Sequence, residues 1–509
     1  LLFEGDVLRL MSYTFLTKPL GFITQILIAS YFGAGAQLDA FTFARFPIVM
    51  LAQSSYRLFS AVAIPQITRS RAEMSEEELH GYQMAMVILF YLPVTVLITL
   101  IFLFNHQFID LIGNKLPAET KDFAADFLRV LALPGIFYAL VGMNQTLLNL
   151  NGIYRVPGFV PVLNALVSLL AIVLLQGRMG IWSMAVGFAT SHLVALPMVG
   201  INAIRSGAIR FTRPRIPAGG TRLLLLLSWL VFAEQVILMI NSFADKWFAS
   251  GLEEGSISSI NYATTLLNLG LQAFNLSLVV VMFTKLSQLY SAGDLDGYNG
   301  YFQDNLRKVC NIVVPASLGV FLANDEIVRA LFERGSFDAA DTARTAGALG
   351  MYMLGLPALI INGIVTKIFH SLQRLKEKIW LAVQYIVTNI IGNMLLVGSL
   401  KVTGLAISST VAINLHLLLS LWVLYTFRSG VVVRPLLATL TRSYTIALIT
   451  WFLMSGGHIG RGIAEMVPFP GLVGTFVIAA LKFGATAAIY VALAMGWRRL
   501  RGLLRRAGQ

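Results

Sequence analysis

The chain has 509 residues, of which 57% are hydrophobic and only 12% are charged, and its mean hydropathy is +0.75. Soluble domains carry about 25% charged residues, so this composition excludes a string of soluble domains and indicates a protein that faces lipid. The net charge of +13 lies mostly in short loops between apolar runs, which favours anchoring at an anionic membrane surface over nucleic-acid binding.

Apolar runs follow one another along the chain, and each is long enough to cross a bilayer, which takes about 20 residues. The first contains Lys18 and is preceded by Glu4 and Asp6, unlike the basic start and clean apolar centre of a cleavable signal peptide. Because the predicted number of spans is even, both termini are expected on the same side. The fourteen predicted spans lie near residues 8–32, 38–66, 83–105, 123–149, 157–176, 180–203, 222–248, 257–283, 306–324, 343–370, 379–399, 403–426, 437–455 and 472–496.

The basic residues of the loops indicate which side holds the termini. If both termini are cytoplasmic, the inner loops and the tail, with its cluster from Arg498 to Arg506, hold many more Lys and Arg residues than the outer loops. Cytoplasmic loops of membrane proteins carry this excess. We therefore expect both termini in the cytoplasm.

The second half of the chain repeats features of the first half. Three landmarks of the first half recur there at nearly the same offset, which chance alone would rarely produce among apolar helices. The two histidines among them lie on apolar faces, and we interpret them as hydrogen-bonded packing residues rather than a proton relay. The landmarks are Pro134 and Pro357, Arg205-Ser206-Gly207 and Arg428-Ser429-Gly430, and His192 and His416.

The repeat predicts an all-α integral membrane protein with two six-helix lobes. Residues 1–206 form the N-terminal lobe with helices 1–6, residues 207–430 form the C-terminal lobe with helices 7–12, and residues 431–509 add two helices and a basic tail. Because six is even, the lobes share one orientation and are related by a pseudo-two-fold axis along the membrane normal. Parallel repeats of this kind are typical of alternating-access transporters.

Three groups of residues resemble the MurJ/MviN family of the multidrug/oligosaccharidyl-lipid/polysaccharide exporter superfamily. The groups are Leu20-Gly21-Phe22, Phe32-Gly33-Ala34-Gly35 and Asp39-Ala40-Phe41 with Pro47 and Pro65; Leu331 to Asp338 with Asp341-Thr342; and Asp245 to Ser250 with Tyr262-Ala263, similar to the family's Asp-Arg…Ala-Ser…Tyr-Ala run.

The resemblance implies a transporter and not an enzyme. Members of the family move lipid II, the undecaprenyl-diphosphate-linked peptidoglycan precursor, from the inner to the outer leaflet of the bacterial inner membrane. It also implies a V of two lobes around a cationic cavity, and a groove for the lipid tail at the two additional helices. The expected partners are the polyprenyl-linked glycan lipid and membrane lipids, with no nucleic acid, and the protein is expected to be a monomer. No cofactor is expected beyond a coupling ion, Na⁺ or H⁺.

The chain departs from the family pattern where the family carries arginines. It has Thr24-Gln25 in place of Arg-Asp, Ile48 after Pro47 without the family's Asn and Arg, and Thr264-Thr265 after the Tyr-Ala pair instead of x-Arg. Several arginines that the resemblance implies for holding the diphosphate are therefore missing. This leaves open a different glycan headgroup or a lost transport activity.

Charged residues within the first two predicted spans are the candidates for binding the anionic headgroup. An unpaired charge at mid-membrane costs about 3 kcal/mol or more, and Arg binds phosphate oxygens in pairs whereas Lys offers a point charge. Lys18, Arg45 and Arg57 are the predicted cations, although Arg57 could equally extend its charge to the interface. Asp39 could pair with one of them or cap a helix, and Gln25 completes the predicted set.

Oxygen-bearing residues of the C-terminal lobe resemble a sodium site found in some family members. The predicted set is Asp245, Asn389, Asn393, Ser409 and Thr410. The two asparagines are four residues apart and so share one helix face. Alternatively, Asp245 pairs with the adjacent lysine or caps a helix, and the asparagines make ordinary interhelical hydrogen bonds. A proton on Asp245 could also replace the sodium ion.

Other functions lack specific features that they would need. Cys310 is the single cysteine and excludes an internal disulfide, and no nucleotide-binding loop is present. A membrane glycan polymerase or ligase would need catalytic groups in an outer loop, which the gaps 105–122 and 456–471 do not supply. A drug/cation antiporter normally has twelve helices and needs no basic cavity. An O-antigen or exopolysaccharide repeat-unit flippase, or a scaffold without transport, stays open because of the missing arginines.

Overall fold

The part of the chain that the structure describes is built from α-helices. The computed structural model describes residues 2–216, 239–274, 282, 285–286, 288–289, 292–371, 374–426, 432, 434–455, 458–467 and 471–507. The earlier helices are α1 (Leu2–Phe32), α2 (Ala36–Ser70), α3 (Glu76–Leu103), α4 (Asn105–Ile112), α5 (Ala118–Leu150), α6 (Arg155–Met179), α7 (Trp182–Arg205) and α8 (Ser256–Phe274), with further helical residues at 239–249. The later helices are α9 (Leu295–Leu322), α10 (Asn324–Phe332), α11 (Ala339–Ser371), α12 (Leu375–Thr426), α13 (Arg434–Ser455), α14 (His458–Glu465) and α15 (Leu472–Ala507).

Eleven helices of the described part are long and apolar enough to cross a membrane. They match twelve of the fourteen predicted spans, all except the seventh and eighth. Eleven helices are enough for twelve spans because α12 covers both the eleventh and the twelfth. Most of the predicted span 222–248, and the end of 257–283, lie outside the described residues. The all-helical membrane class is confirmed, while the division into lobes at residues 206 and 430 stays a prediction.

The helix α12 is too long for a single crossing and is broken near its middle. It has 52 residues, whereas a span needs about 20. Lys401 has φ 49° and ψ −130°, in the region that residues with a Cβ atom rarely adopt. The break at Lys401 therefore separates the two spans that the sequence predicts at 379–399 and 403–426.

The two halves of the chain show the same order of elements around their prolines. In each half a long helix, α3 or α9, is followed by a helix of fewer than ten residues, α4 or α10. A long helix with an internal proline comes next, with Pro134 in α5 and Pro357 in α11. Proline inside a helix removes one backbone hydrogen bond, which neighbouring helices and side chains can compensate in a membrane bundle.

Two compact units divide the chain, residues Leu1–Ser258 and Ser259–Gln509. In the first unit α5 packs against α2, α3 and α7, and α6 packs against α1 and α7. Its core includes Phe59 and Ile67 of α2, Met86 of α3, and Met143 and Leu147 of α5, all of them buried. In the second unit α11 packs against α9, α10 and α12, and α15 packs against α9, α10 and α13.

Large apolar side chains also cover much of the outside of both units. Leu174 of α6 is 71% exposed and Leu395 of α12 is 73% exposed. Soluble monomers rarely expose large contiguous apolar surfaces. The exposed apolar side chains of the long helices therefore form a lipid-facing surface, in agreement with the composition.

Candidate cationic binding site

Arg45 lies on the face of α2 that borders a cavity of about 250 Å³ in the first unit. Val49 and Gln53 line the same cavity, because side chains four residues apart are neighbours on a helix. Arg45 is exposed although most residues beside it in α2 are buried, since its side chain borders this open space. A cation inside a candidate span is therefore accessible to a ligand.

The walls opposite Arg45 are polar and come from α5, α6 and α7. The Gln53 Nε2 atom donates a hydrogen bond to the Tyr138 hydroxyl at 2.9 Å. The His192 ring lies against Tyr138 with 4.6 Å between centroids, and its Nδ1 is 2.8 Å from the Phe188 carbonyl oxygen. Asn164 also lines the cavity, and its Oδ1 has no hydrogen-bond partner among the described residues. The cavity thus combines one guanidinium with several neutral polar groups.

A second cation, Lys246, lies close to Arg45 and comes from the helical residues 239–249. Its Nζ atom is 5.3 Å from the centroid of the Phe46 ring, and its charge interacts most strongly with that of Asp245 and then with those of Arg45 and Asp39. The Arg45 guanidinium is in turn 5.3 Å from the centroid of the Phe188 ring. Aromatic faces attract cations, so each ring stabilises the positive charge beside it.

Lys246 is not among the residues that the sequence predicts to bind the headgroup. The sequence suggests for it only a pairing with Asp245, its neighbour in the chain. The signal that could have identified it is the family's Asp-Arg pair, since Lys246 occupies the position of that arginine. A lysine there retains the positive charge but loses the bidentate geometry of a guanidinium.

Asp39 binds the beginning of α8. Its buried carboxylate accepts hydrogen bonds from the Gly255 amide at 2.8 Å, and from the Ser258 amide at 2.7 Å and hydroxyl at 2.5 Å. The first amides of a helix lack internal partners, and negative charge is favoured there. The sequence predicts either pairing with a cation or capping of a helix for Asp39. These hydrogen bonds are those of a helix cap, and the helix that is capped is α8 and not α2, which carries Asp39.

The other predicted members of the cationic set lie outside this cavity. Lys18 of α1 and Arg57 of α2 are exposed, and neither lines the cavity of Arg45 among the described residues. Gln25 is partly buried, and its Oε1 has no hydrogen-bond partner in the part of the chain that the structure describes. A role for these three residues in binding the headgroup stays a prediction.

In the second unit, three of the five predicted ion ligands, Asn389, Asn393 and Ser409, are joined by hydrogen bonds, and Thr410 is bonded separately to α11. Asn389 donates to the Ser409 hydroxyl at 2.8 Å, and Asn393 donates to the Asn389 side-chain oxygen at 3.1 Å. The Thr410 hydroxyl donates to the Met351 carbonyl oxygen at 2.7 Å. These bonds connect the two parts of α12 on either side of Lys401 and attach α12 to α11.

The fifth predicted ion ligand, Asp245, belongs to the first unit. Among the described residues, no group of three or more His, Cys, Asp or Glu side chains is placed to hold a metal ion. The hydrogen bonds of Asn389 and Asn393 are ordinary contacts between helix segments, as in the alternative to a sodium site. Ion binding stays a prediction. His416 likewise makes a packing contact, with its Nδ1 2.9 Å from the Leu381 carbonyl oxygen.

Comparison with known proteins identifies the family. The family model described as "Lipid II flippase MurJ" matches residues 28–481. The chain belongs to the MurJ family. The lipid II flippase MurJ of Burkholderia cenocepacia is 24% identical over 435 residues, which cover 81% of this chain and 82% of that protein. The probable lipid II flippase MurJ of Vibrio cholerae is 26% identical over 440 residues, which cover 82% of each.

Solved structures show the same fold. A structure titled "Lipid II flippase MurJ, inward closed conformation" has a TM-score of 0.75 at 22% identity, covering 96% of this chain and 99% of that one. An inward-facing MATE transporter of the MOP superfamily has a TM-score of 0.66 at 13% identity, covering 84% and 98%. Membership of the MurJ family confirms the resemblance predicted from the motifs, and with it a multi-pass membrane transporter and not an enzyme.

Proposed function

We propose that this chain moves lipid II from the inner to the outer leaflet of a bacterial inner membrane by alternating access. Its membership of the MurJ family supports this function, as does the cavity of the first unit that Arg45 lines. The diphosphate of lipid II is the group that Arg45 and Lys246 would bind, because phosphate oxygens form strong charge-assisted hydrogen bonds with guanidinium and ammonium groups.

The observation that carries the proposal is the position of Arg45. A guanidinium inside a membrane span is costly and so is rarely incidental, and Arg45 borders a cavity that no Asp or Glu of the described residues lines. The polar groups of Gln53, Tyr138 and Asn164 around the same cavity are suited to hydroxyl and amide groups of a sugar. Arg45 would hold the diphosphate while these neutral groups contact the glycan.

The test is transport by the purified full chain in liposomes. Fluorescent lipid II is placed in both leaflets, and the fraction accessible to an external membrane-impermeant quencher is followed over time. We expect faster equilibration across the bilayer than in protein-free liposomes. A rate equal to that of protein-free liposomes, with folded protein present, would overturn the proposal.

A second candidate is a flippase for another polyprenyl-diphosphate glycan, such as an O-antigen or exopolysaccharide repeat unit. The sequence has Thr24-Gln25 and Thr264-Thr265 where the family carries charged residues, so fewer cations are available than the family pattern implies. The same liposome assay with an undecaprenyl-diphosphate oligosaccharide lacking the peptide distinguishes the two. Preference for lipid II supports the first candidate, and preference for the oligosaccharide supports the second.

The proposed orientation has both termini in the cytoplasm, and the protein is proposed to act as a monomer without nucleic acid. The excess of basic residues in the predicted inner loops supports this orientation. Reporter fusions after Ser206 and at Gln509 should give a cytoplasmic signal, and a fusion at Gly255 should give a periplasmic one. A periplasmic signal from Gln509 would contradict the orientation.

Ion coupling is proposed through the residues that the sequence predicts, Asp245 with Asn389, Asn393, Ser409 and Thr410. A coupling ion can shift a conformational equilibrium only by binding one state more tightly than the other. Transport should therefore respond to an imposed Na⁺ or H⁺ gradient, and Asp245→Asn should reduce that response. Indifference of the wild type to both gradients would exclude this coupling.

A further inference from the structure

A second and larger cavity of the first unit lies apart from Arg45. It has a volume of about 610 Å³ and is enclosed by α3, α5, α7 and the segment that follows α7. Sites for small molecules usually have volumes of about 300–1,000 Å³. None of the residues assigned to headgroup or ion binding lines this cavity, so the proposed transport function leaves it unexplained.

Its long walls are apolar and open toward the outside of the unit. Met84 and Ile88 come from α3, and Ile201 and Ile204 come from α7. Ile88 is 42% exposed, Ile201 is 47% exposed and Ile204 is 50% exposed. These residues form a groove between two membrane-spanning helices, with a width and chemistry suited to a hydrocarbon chain that enters from the bilayer.

The opposite end of the groove is polar. Arg210 and His80 line it, and the His80 Nδ1 atom is 3.1 Å from the side-chain oxygen of Gln83. Asn144 also lines the cavity and is only 6% exposed. Its side-chain amide is therefore within reach of a polar group bound in the cavity.

The position of Arg210 follows from a close contact between the segment after α7 and the start of α3. The Arg215 amide donates to the Gly81 carbonyl oxygen at 3.0 Å. A Cβ atom on residue 81 would come within 2.9 Å of the Arg213 carbonyl oxygen, so glycine is required for this approach. The contact holds an arginine-rich segment over the polar end of the groove.

Acidic residues lie nearby but do not line the cavity. Glu76, Glu77 and Glu78 form the first turn of α3, and Glu78 binds Ser75 in a capping box. Arg210 is 3.4 Å from a Glu76 carboxylate oxygen, and both side chains are mostly exposed. Exposed pairs of this kind contribute little, about 0–1 kcal/mol. The charge that faces the cavity is therefore positive.

We propose that this groove binds an anionic glycerophospholipid. One acyl chain lies between α3 and α7, the phosphate contacts Arg210, and the Asn144 amide donates to an oxygen of the glycerol ester. The predicted orientation places this end at the cytoplasmic leaflet, where anionic lipids attract basic segments. Basic sites between membrane helices on that side are suited to acidic headgroups. The proposal does not depend on which glycan lipid is transported.

The experiment uses the full chain in phosphatidylcholine nanodiscs. Small amounts of phosphatidylglycerol or phosphatidylcholine, each with a photoactivatable diazirine in one acyl chain, are added, and labelled peptides are mapped by mass spectrometry. We expect phosphatidylglycerol to label peptides of α3 and α7. Arg210→Gln should lower the preference for phosphatidylglycerol about fivefold, the effect of one basic residue near a charged surface. Arg178→Gln, at the far end of α6, is the matched control and should leave the preference unchanged.

A second pair of variants tests the groove itself. A Cβ atom at Gly200, which lines the cavity, would meet no other atom within 4 Å, and the same holds for the exposed Gly177 of α6. Gly200→Leu should fill the groove and abolish labelling of α3 and α7, whereas Gly177→Leu should not. Unchanged labelling in folded Gly200→Leu, equal labelling by the two phospholipids, or displacement by polyprenyl phosphate but not by phosphatidylglycerol would overturn the proposal.

Discussion

The polar residues of the two units differ in what they face. In the first unit, Arg45 and Gln53 border an open cavity, with Lys246 close by. In the second unit, Asn389 and Asn393 are completely buried and are hydrogen-bonded within their own unit. The first arrangement leaves charge available to a ligand, and the second uses neutral groups to connect helix segments.

This difference separates two reasons for polar residues in a membrane protein. A charge next to open space has no structural role that would offset its cost, so it indicates binding. Neutral amides that satisfy one another stabilise helix packing by about 0.6 kcal/mol per hydrogen bond. Substitutions should therefore impair transport most strongly in the first unit, and in the second unit they should mainly change stability.

The largest effect is expected from Arg45→Gln. Losing a charge-assisted hydrogen bond to phosphate removes about 1.5–3 kcal/mol, which corresponds to roughly a 10- to 100-fold slower rate of lipid II transport. The measurement is the liposome assay, with thermal stability recorded in parallel. Arg69→Gln is the matched variant, because Arg69 is exposed on the same helix, does not line the cavity and is not a predicted headgroup ligand. Equal losses in the two variants would contradict the assignment of the cavity.

Asp39→Ala should lower stability by roughly 2 kcal/mol, because three hydrogen bonds at the start of α8 lose their acceptor. The measurement is chemical or thermal unfolding of the protein in detergent. Ser258→Ala removes only the hydroxyl bond and should cost less. If Asp39→Ala unfolds at the wild-type temperature, the cap does not stabilise α8.

Asn389→Leu should lower stability by about 1 kcal/mol, the value of two interhelical hydrogen bonds in a membrane protein. Transport should change little if the amide serves packing alone. Melting temperatures in NaCl and in KCl test the sodium site at the same time. A sodium-specific rise in the wild type that Asn389→Leu loses would support ion binding, and identical melting temperatures in both salts would exclude it.

The smallest effect is expected from Gln53→Leu. This substitution removes the hydrogen bond to Tyr138, worth about 1 kcal/mol, so transport should slow by no more than about fivefold. Tyr138→Phe removes the same bond from the other side and should behave alike. A loss as large as that of Arg45→Gln would mean that the neutral groups and not the cation control binding.

The sequence predicted the spans well because length and hydropathy are local properties of the chain. The sequence predicts the two parts of α12 on either side of Lys401, although hydropathy does not indicate the non-helical conformation of Lys401 that separates them. The short helices α4 and α10 were not predicted, since helices of fewer than ten residues are too short to cross a bilayer and leave no signal of span length.

The site was predicted only in part, because its partners are far apart in the sequence. Arg45 was identified from its charge within an apolar span. The Asp39 cap joins α2 to residues more than 200 positions away, and no local pattern indicates such a contact. Lys246 was missed because an adjacent acid offered a simpler interpretation. Periodicity places a residue on a helix face but does not show which face borders the cavity.

The most direct test of the account is the affinity of the purified protein for lipid II. Dissociation constants are measured for the wild type, Arg45→Gln, Lys246→Gln and the double variant, with Arg69→Gln as the control. We predict that each single substitution weakens binding and that the double variant shows a non-additive loss, since Arg45 and the nearby Lys246 would contact one diphosphate. Wild-type affinity in the folded double variant would contradict the cationic cavity as the binding site.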